Sequence, residues 1–464
     1  MKVLFASSEI VPFAKSGGLA DVAAALPKAL STSLTIARVM PLYGFISKER
    51  LTPTPYNFSL QLGGISYEIV IYHSEQDGMR TYFIQAPLLS DTQHLYGDHE
   101  AYANNDLRFG IFSKALVYLA QELHIDILHL NDWHSALAAL WLKEIYPQAK
   151  SIFTIHNLAY QGIFEKESLK RLGISETHFT MEDLEFYGQC NFMKAGIKYA
   201  NAITTVSPHY AKEILSPEFG CGLDGFLNQH KKKLTGIING LDTTLFNAKS
   251  DPALIANFDE KTLKNKNKNK SYMLKETKLK DIKRPLFIMI SRLTEQKGFD
   301  ILLQSLDALL AQELNLLLLV DGASPYQTAL QQAADTHPNM ALRLGFDENL
   351  SHQIYAAADF FLMPSHFEPC GLAQMISYRY GVIPIVRDTG GLHDSVHENS
   401  RQCGQGIRFK QATGNALKRA INRALILYHN TKKKQEIQRF NLHCDFSFEH
   451  SAREYQKLYQ AVLS

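Results

Sequence analysis

Little in this chain suits disulfide, zinc or membrane chemistry. Its 464 residues include only five cysteines, Cys190, Cys221, Cys370, Cys403 and Cys444, with no C-x-x-C pair. An odd, scattered set disfavours a disulfide framework or a zinc site and suits a reducing cytosol. No apolar run approaches the roughly eighteen residues of a membrane span. The run Val3–Ala6 after Lys2 is too short for a signal peptide, with Glu9 and Lys15 close behind. Charge of one sign is missing too. The formal net charge of +2 at pH 7 lends no support to a nucleic-acid partner. These absences lead us to expect a soluble cytoplasmic protein with no nucleic-acid or membrane partner.

Catalytic signatures are also absent. There is no Asp-x-Asp, so a carboxylate pair holding a metal on a nucleotide diphosphate is unsupported. G-x-S-x-G, H-E-x-x-H and the G-x-x-x-x-G-K-[ST] phosphate loop are missing as well. Any phosphate charge must then be met by Arg, Lys and helix termini, with no metal and no other cofactor expected.

What is present is an alternation of apolar runs and amphipathic stretches. Hydrophobic residues make up 45% and charged residues 20%, ordinary for a globular enzyme. The length predicts two domains of roughly 200 residues each. Strand-like runs occur at 3–6, 37–40, 67–72, 81–85, 127–130, 152–155 and 203–206, with helical stretches such as 107–123 and 136–145 between them. After Gly240 the pattern restarts with runs at 286–290, 314–320, 341–344, 360–363 and 383–386. Strands alternating with helices predict two parallel α/β sheets, with ligands beyond the carboxyl ends of the strands. The boundary is expected near residue 240, giving domains 1–240 and 241–445, followed by a docking helix over 446–464. The lysine-rich run Lys264–Lys270 reads as a solvated helix or connector.

The polar clusters follow the strand runs. Lys15-Ser16-Gly17-Gly18 follows the first run and leads into a helix, an arrangement that suits an anion. An exposed lysine at a helix start is an equally good reading. Arg292 and Lys297 share a loop after the run at 286–290, where an arginine fork and a lysine point charge would clamp a diphosphate. Their candidate partner is the segment Glu368-Pro369-Cys370-Gly371-Leu372, in which Glu368 could accept hydrogen bonds from sugar hydroxyls. Thr389-Gly390-Gly391 repeats the glycine device after a later strand. His134 and His156 stand at strand ends beside Asp132 and Asn157 and point to a polar substrate pocket.

Together these segments, with Lys194-Ala195-Gly196, Val206-Ser207-Pro208 and Asn239-Gly240, closely resemble bacterial glycogen synthases and plant starch synthases along the whole chain. The resemblance implies a GT-B fold: two Rossmann-like doubly wound domains with the active site in the cleft between them. It implies retaining transfer of glucose from ADP-glucose to the non-reducing end of an α-1,4-glucan such as glycogen. No carboxylates pair as nucleophile and acid, so a same-face displacement is the expected mechanism. The catalytic residues that the resemblance implies are His156, Arg292, Lys297 and Glu368. The substrate contacts it implies are Lys15, Gly17, Gly18, Asp132, Asn157, Asn239, Phe346, Cys370, Gly371, Leu372, Thr389 and Gly390, with Phe346 stacking on adenine. Three departures touch the expected pattern: Asp321-Gly322-Ala323-Ser324 for a Gly-rich turn, Ala373 for a threonine, and Asn131 before Asp132-Trp133-His134. Rival readings are a UDP-glucose transferase or phosphorylase and a decayed glucan-binding protein. Neither a pyridoxal-phosphate lysine nor loss of the charged residues is legible.

Overall fold

The computed structural model describes residues 1–464 except His99, Lys280, Ala323, Ser324, Asn399 and Arg401. The departure after Asp321 therefore lies partly outside the described residues. The chain divides into two compact units, 1–240 with 448–464, and 241–447.

The first unit is built on a sheet whose centre is the apolar strand Lys2–Ala6. This strand pairs in parallel with Thr35–Pro41 on one side and Ile127–Asn131 on the other. Lys150–Ile155, Ala202–Thr205 and Leu234–Gly236 extend the sheet beyond Ile127–Asn131, all parallel. Buried strands of this kind read as continuous apolar runs because helices cover both faces. The chain builds outward from Lys2–Ala6 to one side, then returns to its other side at Ile127. The carboxyl ends of these two strands therefore flank a topological switch point, where open sheets bind ligands. The far edge is different from the parallel sheet expected. Ile65–Gln76 pairs antiparallel with Met79–Gln85 and with Phe58–Leu62, the second pairing closing through a turn at Gly63-Gly64. Its solvent-facing polar residues blur the strand signal that fully buried strands give.

Phe448–Leu463 is a helix of this first unit. It buries Phe448, Ala452, Tyr455 and Tyr459, packs on the helix Gly18–Leu30, and sets the Tyr459 hydroxyl 2.6 Å from His129 Nδ1.

The second unit holds a six-stranded, wholly parallel sheet. Leu286–Arg292 lies at its centre, between Asn315–Asp321 and Phe360–Met363. Met340–Leu344 completes one side, and Ile383–Arg387 with Ile407–Phe409 the other. The switch point falls between Leu286–Arg292 and Phe360–Met363, so the loops that follow Arg292 and Met363 meet above it.

The lysine-rich run is only half the solvated element expected, since Lys264 and Lys268 are exposed. It forms the helix Lys266–Glu276, with Lys266 and Lys270 buried. Lys266 Nζ donates to the carbonyls of Ala356 (3.0 Å) and Tyr380 (2.8 Å). Both carbonyls sit at helix C-termini, where acceptors lack intrahelical partners. Lys270 pairs with Asp359 at 2.7 Å, and Lys434 reaches the other oxygen of Asp359 at 3.1 Å. Long lysine stems bury their methylenes while the amine satisfies the orphan acceptors.

Candidate active site

In the second unit the switch-point loops are joined by a salt bridge. Arg292 ends its strand and is exposed, and one 3-10 turn, Glu295–Lys297, follows. Lys297 Nζ lies 2.7 Å from Glu368 Oε2, with side chains only 17% and 7% exposed. Ser365 Oγ donates to the same carboxylate oxygen at 3.1 Å. Backbone bonds fasten the loops further: the His366 amide donates to the Gln296 carbonyl at 2.8 Å, and Gln296 Nε2 to the Phe367 carbonyl at 3.2 Å. Arg387, at the end of the next strand, donates through Nε to the Ser365 carbonyl at 2.7 Å and through Nη2 to that of His366. A buried ion pair held on both sides by such bonds is preorganised.

The glycine loops close over this pair. Gly371 has φ +73°, and a helix starts two residues later, at Ala373. Thr389 caps the short helix Gly390–Ser395, and the Gly391 amide donates to the Glu368 carbonyl at 2.9 Å. A Cβ on Gly391 would lie 2.1 Å from the Cys370 carbonyl oxygen, so only glycine lets the two loops approach. Cys370 is a buried free thiol, and Leu372 is half-buried.

The first unit presents a second cluster at its own switch point. Asp132, after the strand Ile127–Asn131, takes φ +55°. Its Oδ1 accepts the His156 amide at 2.8 Å, and the Asn157 amide also bonds the carboxylate. Burial outweighs these bonds and pushes the Asp132 carboxyl up to about 7, with Glu9 adding to the rise. Burial holds the His156 imidazole down to about 3, so it is neutral at ordinary pH. Its Nε2 lies 2.8 Å from Asn131 Oδ1, while Asn131 Nδ2 donates to the Ala6 carbonyl. The asparagine oxygen must therefore accept, which fixes the Nε2–H tautomer and leaves Nδ1 with its lone pair.

Lys15 belongs to the same side. Its Nζ pairs with Asp21 Oδ1 at 2.7 Å. The next residue, Ser16, donates its amide and its hydroxyl to Glu9, whose carboxyl burial raises. Gly17 is extended with open space beside it, and Gly18 begins the helix.

The structure thus assembles Lys297, Glu368, Cys370, Gly371, Thr389 and Gly390 with Arg292 at one switch point. It assembles Asp132, His156 and Asn157, with Lys15 tied in by the Ser16–Glu9 bonds, at the other. Asn239 is buried and Phe346 is 61% exposed, and no hydrogen bond described joins either to these groups. Glu9, Asn131, Ser365 and Arg387 escaped the sequence reading as site-builders. Two of them carried a signal: Glu9 as an acidic residue three positions beyond an apolar strand and seven before Ser16, and Asn131 as the residue leading into Asp132-Trp133-His134. Among the described residues, no group of three or more His, Cys, Asp or Glu could hold a metal ion, and no helix is long and apolar enough to cross a membrane.

Residues 2–229 match the starch synthase catalytic domain family and residues 273–439 the group 1 glycosyl transferases. A glycogen synthase of Bacillus licheniformis is 42% identical, covering 99% of this chain and 98% of its own. One from Syntrophotalea carbinolica is 38% identical over 100% and 99%. The catalytic domain of starch synthase IV from Arabidopsis thaliana, solved with ADP and acarbose, superposes with a TM-score of 0.91 at 33% identity, covering 100% of this chain and 99% of that one.

Proposed function

Since the chain belongs to the glycogen and starch synthase family of GT-B glycosyltransferases, we propose that it transfers glucose from ADP-glucose to the non-reducing end of an α-1,4-glucan, with retention and release of ADP. The observation that carries this is the Lys297–Glu368 pair at 2.7 Å, set between glycine loops beside Arg292. Breaking a glycosyl–phosphate bond builds negative charge on the departing diphosphate and positive charge on the sugar. Lys297 has three N–H donors and spends one on Glu368, leaving two for phosphate oxygens. Arg292 offers a bidentate fork to the same charge. Glu368 and the backbone of Cys370, Gly371 and Leu372 hold the glucose hydroxyls, Thr389 and Gly390 the phosphates, and Phe346 the adenine.

The first unit supplies the other contacts in this proposal. Lys15, Gly17 and Gly18 meet the donor, and Asp132, Asn157 and Asn239 the sugars. The backbone carbonyl and neutral ring of His156 lie at the reacting carbon, where an imidazolium would oppose the developing positive charge. The acceptor hydroxyl attacks from the face that ADP leaves, and the departing phosphate takes its proton. Isolation of a covalent glucosyl-enzyme would overturn that step. No metal enters this scheme.

ADP release is measured with glycogen as acceptor, comparing ADP-glucose and UDP-glucose in the presence of a chelator, with wild type and Lys297→Ala. The expected result is rapid release from ADP-glucose that survives chelation and falls about 10²–10³-fold in the variant, roughly 2.7–4 kcal/mol of barrier. Release from UDP-glucose alone would overturn the donor, and loss on chelation the metal-free clamp. No release from either donor would leave a glucan-binding protein.

A further inference from the structure

The loop that carries Lys15 is shaped from beneath by a buried acidic side chain. Glu9 is 3% exposed, yet its carboxyl group bonds a loop whose own residues Lys15 and Ser16 are exposed. One oxygen accepts the Ser16 amide and the other the Ser16 hydroxyl at 3.0 Å, and the Gly17 amide bonds the same group. The neighbouring charge of Asp21 opposes that of Glu9 and does not offset it. A buried carboxylate with no cation against it is costly unless hydrogen bonds satisfy it. Here those bonds go to Ser16 and Gly17, so the buried group is committed to the shape of an exposed loop.

Glu9 is itself held in place. Ser7 Oγ donates to the Glu9 carbonyl at 2.8 Å. Two tyrosines converge on Ser8: the Tyr43 hydroxyl donates to its carbonyl at 2.7 Å, and the Tyr96 hydroxyl lies 2.8 Å from its Oγ. The segment leading to Tyr96 is stapled by Arg108, a fully buried guanidinium that donates to the Leu88 and Leu95 carbonyls, Thr92 Oγ1 and Asn105 Oδ1. A group fixed this firmly can impose a geometry on what it bonds.

We infer that Glu9 is a positioning residue for the nucleotide-sugar donor: by engaging the Ser16 and Gly17 amides from within, it holds the Lys15 loop in the shape that meets the donor's phosphates. This rests on the glucosyl-transfer reading above. With those two amides turned to Glu9, the groups left for an anion are the Lys15 amine, the open side of Gly17 and the first amides of the helix Gly18–Leu30. Lys15 bonds Asp21 with one of its three N–H donors and keeps two. Gly17 has φ −160°, which any residue adopts, and a Cβ there would meet nothing within 4 Å. Neither conformation nor packing asks for glycine, so the space beside it is room for close approach by a ligand. Glu9 touches no donor atom in this scheme and acts through the loop.

The test uses Glu9→Gln, which sets an NH2 donor against amides that are donors too, and Glu9→Asp, which keeps the charge on a shorter stem. KM for ADP-glucose and for glycogen, kcat and the thermal midpoint are measured for each, for Lys15→Ala, and for Glu9→Gln combined with Lys15→Ala. Glu9→Gln should raise the donor KM about ten-fold and leave the glycogen KM within about two-fold, with a smaller rise for Glu9→Asp. On the Lys15→Ala background Glu9→Gln should add less than about two-fold, because the two residues act as one unit. Fully additive effects, or a loss of kcat and midpoint at unchanged donor KM, would assign Glu9 to folding instead. A lower donor KM would show the carboxylate occupying the place of a phosphate, which overturns the positioning role as well. If wild type transfers no glucose, the reaction fails separately, and hydrogen exchange at the Ser16 and Gly17 amides still tests Glu9. Exchange should be faster in Glu9→Gln than in wild type, and equal exchange would overturn the role. Should Glu9→Gln not fold, Glu9→Asp carries both measurements with the same signs.

Discussion

Two imidazoles of the first unit show how a single residue ties stability to pH. His129 and His156 are both held down to about 3 by burial, His129 between Tyr459 and Thr154. In the unfolded chain each takes a proton near its ordinary value, so below about pH 6.5 the unfolded state binds more protons than the native one. Stability is therefore lost as pH falls from about 6.5 towards 3, approaching about 1.4 kcal/mol per pH unit for each histidine. Urea titrations at pH 7, 6 and 5 should show this loss, and His129→Gln should reduce it. A midpoint that does not move with pH contradicts the burial of these rings. For the same reason His156 should contribute no limb to the rate profile between pH 5 and 8.

At the level of elements, legibility followed burial. Val3–Ala6 and Leu286–Ile290 are unbroken apolar runs because both faces of their sheets are covered, and both are central strands. Ile65–Gln76 exposes polar residues along much of its length, so only its middle was legible and its direction was not. The helix Lys266–Glu276 misled for a different cause. Its sequence looks solvated because charge is visible in a sequence, whereas the carbonyls and the Asp359 carboxylate that receive it are supplied by segments about 90 or more residues away. The same holds for the site. Lys297 and Glu368 could each be picked out, but Ser365 and Arg387, which fix them, carry no local signal. Burial pushes the Lys266 amine down to about 7, and a neutral amine still has two N–H bonds for its two carbonyls. Between pH 7 and its ordinary value near 10.5, the unfolded chain holds a proton that the native unit does not, so stability should rise with pH there. Lys266→Met should abolish that increment and cost about 1–3 kcal/mol for each carbonyl left unpaired. Urea midpoints at pH 7 and 9 decide it, and a variant that keeps the full increment would disprove the role of this amine.

Across the whole molecule, the first unit is completed by the last stretch of chain. Tyr455 and Tyr459 are fully buried there, and Tyr459 is a hydrogen-bond partner of the buried ring of His129. Truncation after Ser447 should therefore leave 241–447 folded and unfold 1–240. Limited proteolysis reads this directly. Survival of 1–240 as a protease-resistant fragment would show that the helix is dispensable.

The same threading sets an order of events on the ribosome. Although 1–240 emerges first, it lacks its closing helix until 241–447 has been made, on the order of 10–40 s later at about 5–20 residues per second. The later-made unit is thus the first to leave as a finished fold. Its predecessor must spend that interval with the Phe448–Leu463 docking groove beside Gly18–Leu30 bare, in need of shelter from chaperones or neighbouring chains.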